Sequence, residues 1–176
     1  VIHTLPALTD AALAIPGIRF DWAVEENFVE IPAWHSAVDN VIPVALRRWR
    51  KSPLKSFRGP EWRRCKTDIA KNHYDAVIDA QGLLKSAFIA RLANAQRFGL
   101  DRKSAKEGLA SLCYHHRINV PLDMHAVERI RVLFARALKY AQPTERGDYG
   151  VRAKLKSGND VALKGVLFFH GTARAE

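Results

Sequence analysis

The stretch YDAVIDAQGLLKSA, residues 74–87, decides how the chain folds. Its AVIDA segment, 76–80, is a short apolar run of the kind that a parallel sheet buries on both faces. The turn that follows, Asp79-Ala80-Gln81-Gly82, contains a glycine that permits a tight connection and a close backbone approach. A helix is expected next, over about 83–95, and a short strand around 97–100.

The same alternation continues in both directions. Upstream, Leu5, Leu8, Ala12 and Ile15 recur at helical spacing, Pro6 suits a first turn, and Pro16-Gly17 stops the helix. Ile18, Phe20, Trp22 and Val24 then alternate with Arg19, Asp21 and Ala23, a strand with one apolar face. Residues 26–37 read as a short helix and turn, and VIPVA at 41–45 as a strand that Pro43 confines to an edge. Pro53, Gly59 and Pro60 divide the next stretch into a loop and a helix starting near Pro60.

Downstream, residues 101–123 carry no clear pattern, whereas 125–140 is a plain amphipathic helix. Val127, Ile130, Phe134, Leu138 and Ala141 form its apolar face, with Arg129, Arg131, Arg136 and Lys139 opposite. A linker and a further buried strand, VLFFHG at 166–171, end the chain. The expected fold is α/β: a Rossmann-like, mostly parallel sheet with helices on both faces. Such a unit normally opens with a central strand. Here a helix comes first, so the first strand is expected to be missing and the chain to be an internal piece of a longer one.

The chain has 176 residues, 48% of them hydrophobic and 26% charged, as in ordinary globular proteins. No stretch approaches the length of a membrane span, and no signal-peptide pattern opens the sequence. Cys65 and Cys113 lack metal-ligand spacing and read as reduced thiols. The charge is localised. Ten basic residues against two acidic ones lie within 47–71, which accounts for eight of the ten net positive charges. Such a patch implies an anionic partner.

Two segments lie at the carboxyl ends of strands, where open parallel sheets bind ligands. One is the turn with Gln81, Gly82 and Lys85. Lys85 sits in the first turn of a helix, where the dipole disfavours a cation unless an anion is bound; a merely solvated lysine reads equally well. The other is RRWRK at 47–51, whose Arg47, Arg48, Arg50 and Lys51 suit phosphate or carboxylate. A solvated basic loop is its plain alternative, and RNA, with Trp49 and Trp62 as stacking platforms, is a generic target. His3, His115, His116 and His125 lack partners at ligand spacing, so no metal site is expected. His170-Gly171-Thr172 again follows a strand. No complete acid–base or nucleophile–base pair is visible.

The blocks HTLPALTDA (3–11), RFDWAVEE (19–26), RRWRK, YDAVIDAQGLLKSA, HAVER (125–129) and GDYG (147–150) resemble the ADP-heptose:lipopolysaccharide heptosyltransferases. These are bacterial inner-core glycosyltransferases of the two-domain GT-B fold. RFDWAVEE and YDAVIDAQGLLKSA favour the type I branch over types II and III. The resemblance runs in order along nearly the whole chain, weakening at 52–72, 101–124 and 151–164.

It implies a truncated N-terminal acceptor-binding domain over 1–142, an interdomain linker over 143–164, and the opening strand of a nucleotide-sugar domain over 165–176. It further implies inverting transfer of heptose from ADP-heptose to Kdo-lipid A, with no obligatory metal or cofactor. The general-base aspartate of the family would precede Val1, and His3 would lie near the active site. Arg47, Arg48, Arg50, Lys51, Gln81, Gly82, Lys85 and Arg117 would hold the acceptor. Thr172 would meet the donor, although a second threonine usual in that loop is Ala173 here. The protein would be cytoplasmic and peripheral on the anionic inner face of the inner membrane, with no nucleic-acid partner. The alternative from another class is a non-catalytic basic module for RNA or acidic membranes.

Overall fold

The computed structural model describes residues 1–151; the VLFFHG strand and Thr172 lie outside them. Five strands and six α-helices lie among the described residues. Helix α1 (Leu5–Ala14) precedes β1 (Phe20–Glu25) and β2 (Val38–Val44). Three helices follow: α2 (Leu46–Trp49), α3 (Pro53–Arg58) and α4 (Pro60–Ala70). Then come β3 (Ala76–Asp79), α5 (Leu84–Ala90), β4 (Gln96–Leu100), β5 (His116–Ile118) and α6 (Ala126–Leu138).

Every strand pairing is parallel, as the alternation of elements requires. The strands form two sheets, β1-β2 and β3-β4-β5. The expectation for AVIDA changes, because among the described residues β3 is hydrogen-bonded along its β4 edge alone and Ala76, Val77 and Ile78 are half-buried. Pro43 lies where expected, in β2, whose partner among the described residues is β1 alone.

Helices cover both faces. On one, Ala7, Leu8 and Phe134 of α1 and α6 pack against Phe20, Trp22, Val38 and Ile78. On the other, Ile42 and Val44 of β2 meet Trp62, Cys65 and Ile69 of α4, Ile89 of α5 and the flanking Val77. Burial of each such large apolar side chain contributes roughly 1.5–3 kcal/mol.

Three readings change. The loop expected after RRWRK is helical, since Pro53 provides the first turn of α3. The helix after Gly82 stops at Ala90 rather than near 95. Arg131 does not belong to the solvated face of α6. It is 2% exposed, and its Nε donates to Asp10 of α1 at 2.6 Å. Its Nη2 also donates to Asp10 at 3.2 Å, and its Nη1 donates to Glu128 at 2.9 Å and to the Glu145 carbonyl at 2.8 Å.

Candidate functional site

The turn after β3 and the segment after β2 occupy the same rim. An aromatic chain joins them: Trp49 of α2 meets Trp62 edge-on at 5.6 Å, and Trp62 stacks on Phe88 of α5 at 5.6 Å and 9°. Phe88 lies one helical turn beyond Lys85, so RRWRK and Gln81–Lys85 face one region. Both tryptophans are buried, 3% and 8% exposed, which corrects their reading as stacking platforms.

Asp79 organises the turn. Its buried carboxylate accepts the Gln81 and Gly82 amides at 2.8 and 3.3 Å, the Ser86 hydroxyl at 2.7 Å and the Tyr114 hydroxyl at 2.6 Å. Burial, with the charge and hydrogen bond of Asp79, pushes the Tyr114 phenol far above its usual range. Gly82 adopts φ +63°, and a Cβ there would stand 3.2 Å from Ala105. Ser86 Oγ accepts the Leu83 amide at 3.2 Å, and Glu107 Oε2 accepts that of Leu84 at 2.6 Å. Four successive amides are thus satisfied by the chain's own side chains.

That arrangement defines what the turn presents. The amides at the start of α5 are taken by Asp79, Ser86 and Glu107, while Lys85 is exposed with no side-chain ion pair among the described residues. Gly82 shapes the turn and has no free polar group to offer, because its carbonyl also accepts the Glu107 amide at 3.0 Å. What projects outward is the Gln81 carboxamide and the Lys85 ammonium, both on exposed residues.

The four cations of 47–51 divide. Arg48 is committed: its guanidinium donates to Glu26 at 2.9 and 3.2 Å and to Glu61 at 2.8 Å. These bonds raise its pKa further, and the Trp49 and Arg48 bonds lower that of Glu61. Arg48 therefore locks α2 to α4 instead of serving as a free ligand group. Arg47, Arg50 and Lys51 are exposed and carry no side-chain ion pair among the described residues.

Arg117 stands apart. It lies on β5 in register with Gly99, itself opposite Asp79, so two strand spacings separate it from the turn. The Tyr114 ring fills the place above Gly99, where an added Cβ would come within 2.3 Å of it. The Arg117 Nε donates to the Ser111 carbonyl at 3.0 Å, and the residue lines a concavity of about 720 Å³ with Asp75, Gln96 and His116. His3 is exposed in the turn ahead of α1, its ring 6.3 Å from that of His125. His125 caps α6 by accepting the Val127 amide. Among the described residues no group of three or more His, Cys, Asp or Glu side chains could hold a metal. The commitment of Arg48 to Glu26 and Glu61 escaped sequence reasoning; the only hint was an acidic residue on either side of a basic run.

The profile of Glycosyltransferase family 9 (heptosyltransferase) matches residues 62–176. The chain is 56% identical to lipopolysaccharide heptosyltransferase 1 of Pseudomonas aeruginosa, over 98% of its own length and 49% of the relative's. It is 52% identical to the Salmonella typhimurium protein of the same name, over 99% of this chain and 56% of that one. The fold superimposes on Escherichia coli heptosyltransferase WaaC with ADP at a TM-score of 0.92 and 48% identity, covering 98% of this chain and 55% of that one. WaaC with ADP-2-deoxy-2-fluoro heptose gives 0.81 at 51% identity, over 85% and 48%. The chain spans about half the length of the curated relatives it matches.

Proposed function

The chain belongs to glycosyltransferase family 9, the heptosyltransferases, and from that membership we propose that it forms the acceptor-binding half of an inverting heptosyltransferase of type I. The complete protein transfers heptose from ADP-L-glycero-D-manno-heptose to Kdo-lipid A. The observation that carries this reading is the shared rim, where Arg47, Arg50 and Lys51 stand unpaired on the same side as Gln81 and Lys85. A multiply anionic sugar-lipid matches such a set in charge and in hydrogen-bonding capacity.

Each of these residues has a physical role. Arg47 and Arg50 present planar forks to carboxylate or phosphate, and Lys51 and Lys85 act as mobile point charges. Gln81 can both donate to and accept from a sugar hydroxyl. Arg48, Asp79 and Glu107 keep the rim in shape. The base that removes the acceptor proton must come within about 3 Å of that hydroxyl. Asp79 is buried under four hydrogen bonds and Glu107 is engaged on Leu84, so neither is free for that task. This chain's part in that reaction is to hold and orient the acceptor, with no metal or cofactor required. WaaC has been solved with ADP and with an ADP-sugar analogue, which supports an ADP-linked donor here.

The same cations suit the anionic inner face of the inner membrane, so the protein is cytoplasmic and peripheral there. An RNA-binding module is the weaker reading, because Trp49 and Trp62 are buried in the core and offer no stacking face. The test is ADP release by the full-length protein with ADP-heptose and Kdo-lipid A. Release that depends on both substrates is expected. Release indifferent to the acceptor, or tighter binding of RNA than of the acceptor at equal salt, would overturn the reading.

A further inference from the structure

Four large apolar side chains stand out of the surface beside the basic segment. Leu54 is 78% exposed, Leu84 48%, Phe88 44% and Phe57 37%. Leu54 and Phe57 lie three residues apart on α3, and Leu84 and Phe88 four apart on α5, so each pair shares a helix face. Phe57 and Phe88 meet edge-on at 6.1 Å, and both pack on Trp62, at 4.9 and 5.6 Å. The two pairs therefore form one patch on a rigid aromatic base. Soluble surfaces scatter such residues singly.

The patch is bordered by Arg50 and Lys51 ahead of α3, Lys55 and Arg58 on α3, and Lys85 on α5. All are exposed, without a side-chain ion pair among the described residues. Glu107, at the border, is engaged on the Leu84 amide. Apolar side chains ringed by long cationic ones match the boundary between anionic headgroups and acyl chains, where the stems lie flat and the charges reach phosphate. A negatively charged bilayer complements the patch in both respects.

We propose that Leu54, Phe57, Leu84 and Phe88 insert into the headgroup–acyl boundary of a bilayer containing anionic phospholipid, so that attachment is partly hydrophobic and not electrostatic alone. This rests on the reading of the protein as acting on a lipid-borne acceptor. Insertion would orient the rim that carries Gln81 and Lys85 towards the membrane surface.

The experiment is sedimentation of the full-length protein with vesicles of phosphatidylcholine, with and without phosphatidylglycerol, at low and high salt. The wild type is expected to bind only the anionic vesicles and to keep part of that binding at high salt. The double variant Leu54→Ser/Phe57→Ser, checked for folding by circular dichroism, should retain the salt-sensitive part. Its high-salt partitioning should fall about tenfold. A separate Leu54→Trp variant should be quenched by lipids brominated on the acyl chain. Equal high-salt binding by wild type and double variant, equal binding to neutral vesicles, no quenching, or capture only by vesicles bearing the lipid acceptor would each overturn the proposal. Heptose transfer to a de-acylated acceptor is read separately. If the enzymatic reading fails, transfer is absent from wild type and variant alike while the vesicle result stands.

Discussion

Trp62 lies flat on Phe88, ring centres 5.6 Å apart and planes 9° from parallel, and this contact sets the distance between the basic segment and the Gln81–Lys85 turn. One ring comes from α4, which follows the cations, and the other from α5, which follows the turn. Trp62→Ala should cost about 3–5 kcal/mol of stability, as large aromatic truncations in cores do. It should also disturb α3, because Phe57 packs on the same ring at 4.9 Å. Urea unfolding of the wild type and the variant measures the first effect. A loss below about 1 kcal/mol would mean that the stack is peripheral.

Gly99 has no room for a side chain. An added Cβ would come within 2.3 Å of the Tyr114 ring, whose hydroxyl is anchored on Asp79 at 2.6 Å. Gly99→Ala should destabilise by about 3 kcal/mol through overpacking. In a Tyr114→Ala background the same substitution should cost less than about 1 kcal/mol, a coupling that a double-mutant cycle reads directly. Additive effects would exclude the Tyr114 ring as the obstacle.

The Asp10–Arg131 pair ties α1 to α6 inside the core, both residues under 10% exposed. Asp10→Ala removes the buried carboxylate that faces Arg131 Nε and Nη2, leaving Glu128 as its one remaining carboxylate partner among the described residues, and should cost about 3 kcal/mol. Asp10→Leu combined with Arg131→Met should recover most of that loss. Thermal unfolding of the two variants distinguishes the outcomes, and equal losses would contradict the assignment of a buried charge.

Acid stability turns on His35. The ring is 4% exposed; Nδ1 accepts the Ala37 amide at 3.1 Å, so Nε2 carries the proton towards Thr9 Oγ1 at 3.0 Å. Burial holds its pKa below the ordinary imidazole value, with Asp148 pulling weakly the other way. Above about pH 6.5 folded and unfolded forms are both neutral and the contribution of His35 is complete. As the pH falls further the unfolded chain takes up the proton first, so stability declines until the folded ring also titrates. Unfolding midpoints should drop through this range in the wild type and less steeply in His35→Gln. Parallel pH profiles would remove His35 from the explanation.

Much of this architecture is legible in the residues because it follows from periodicity. The alternation at Phe20, Trp22 and Val24, the spacing of Leu5 and Leu8, and the apolar run at 76–79 all translate into the elements observed. Side-chain commitments are another matter, since they depend on which distant residues meet. Arg131 scores as polar on α6 and only the approach of α1 turns it inward. Arg48 looks like its neighbours Arg47 and Arg50 until Glu26 and Glu61 close on it. Gly82 reads in the sequence as a tight turn with a close backbone approach, but that Asp79, Ser86 and Glu107 take the amides of that turn shows only in the fold. The rim was readable from strand ends; which of its charges are free was not.

The most direct measurement is the acceptor KM of the full-length protein with Arg50, Lys51 or Lys85 each changed to Glu, against Arg117→Glu as a control. Each of the first three should raise KM by about tenfold or more with kcat little changed, since they contribute ground-state binding, and the effect should shrink as salt screens the rim. Arg117→Glu should leave both constants near wild type. If Arg117→Glu raised KM as much as the rim variants, or if the rim variants left it unchanged, the exposed cations after β2 and β3 would not be what holds the acceptor.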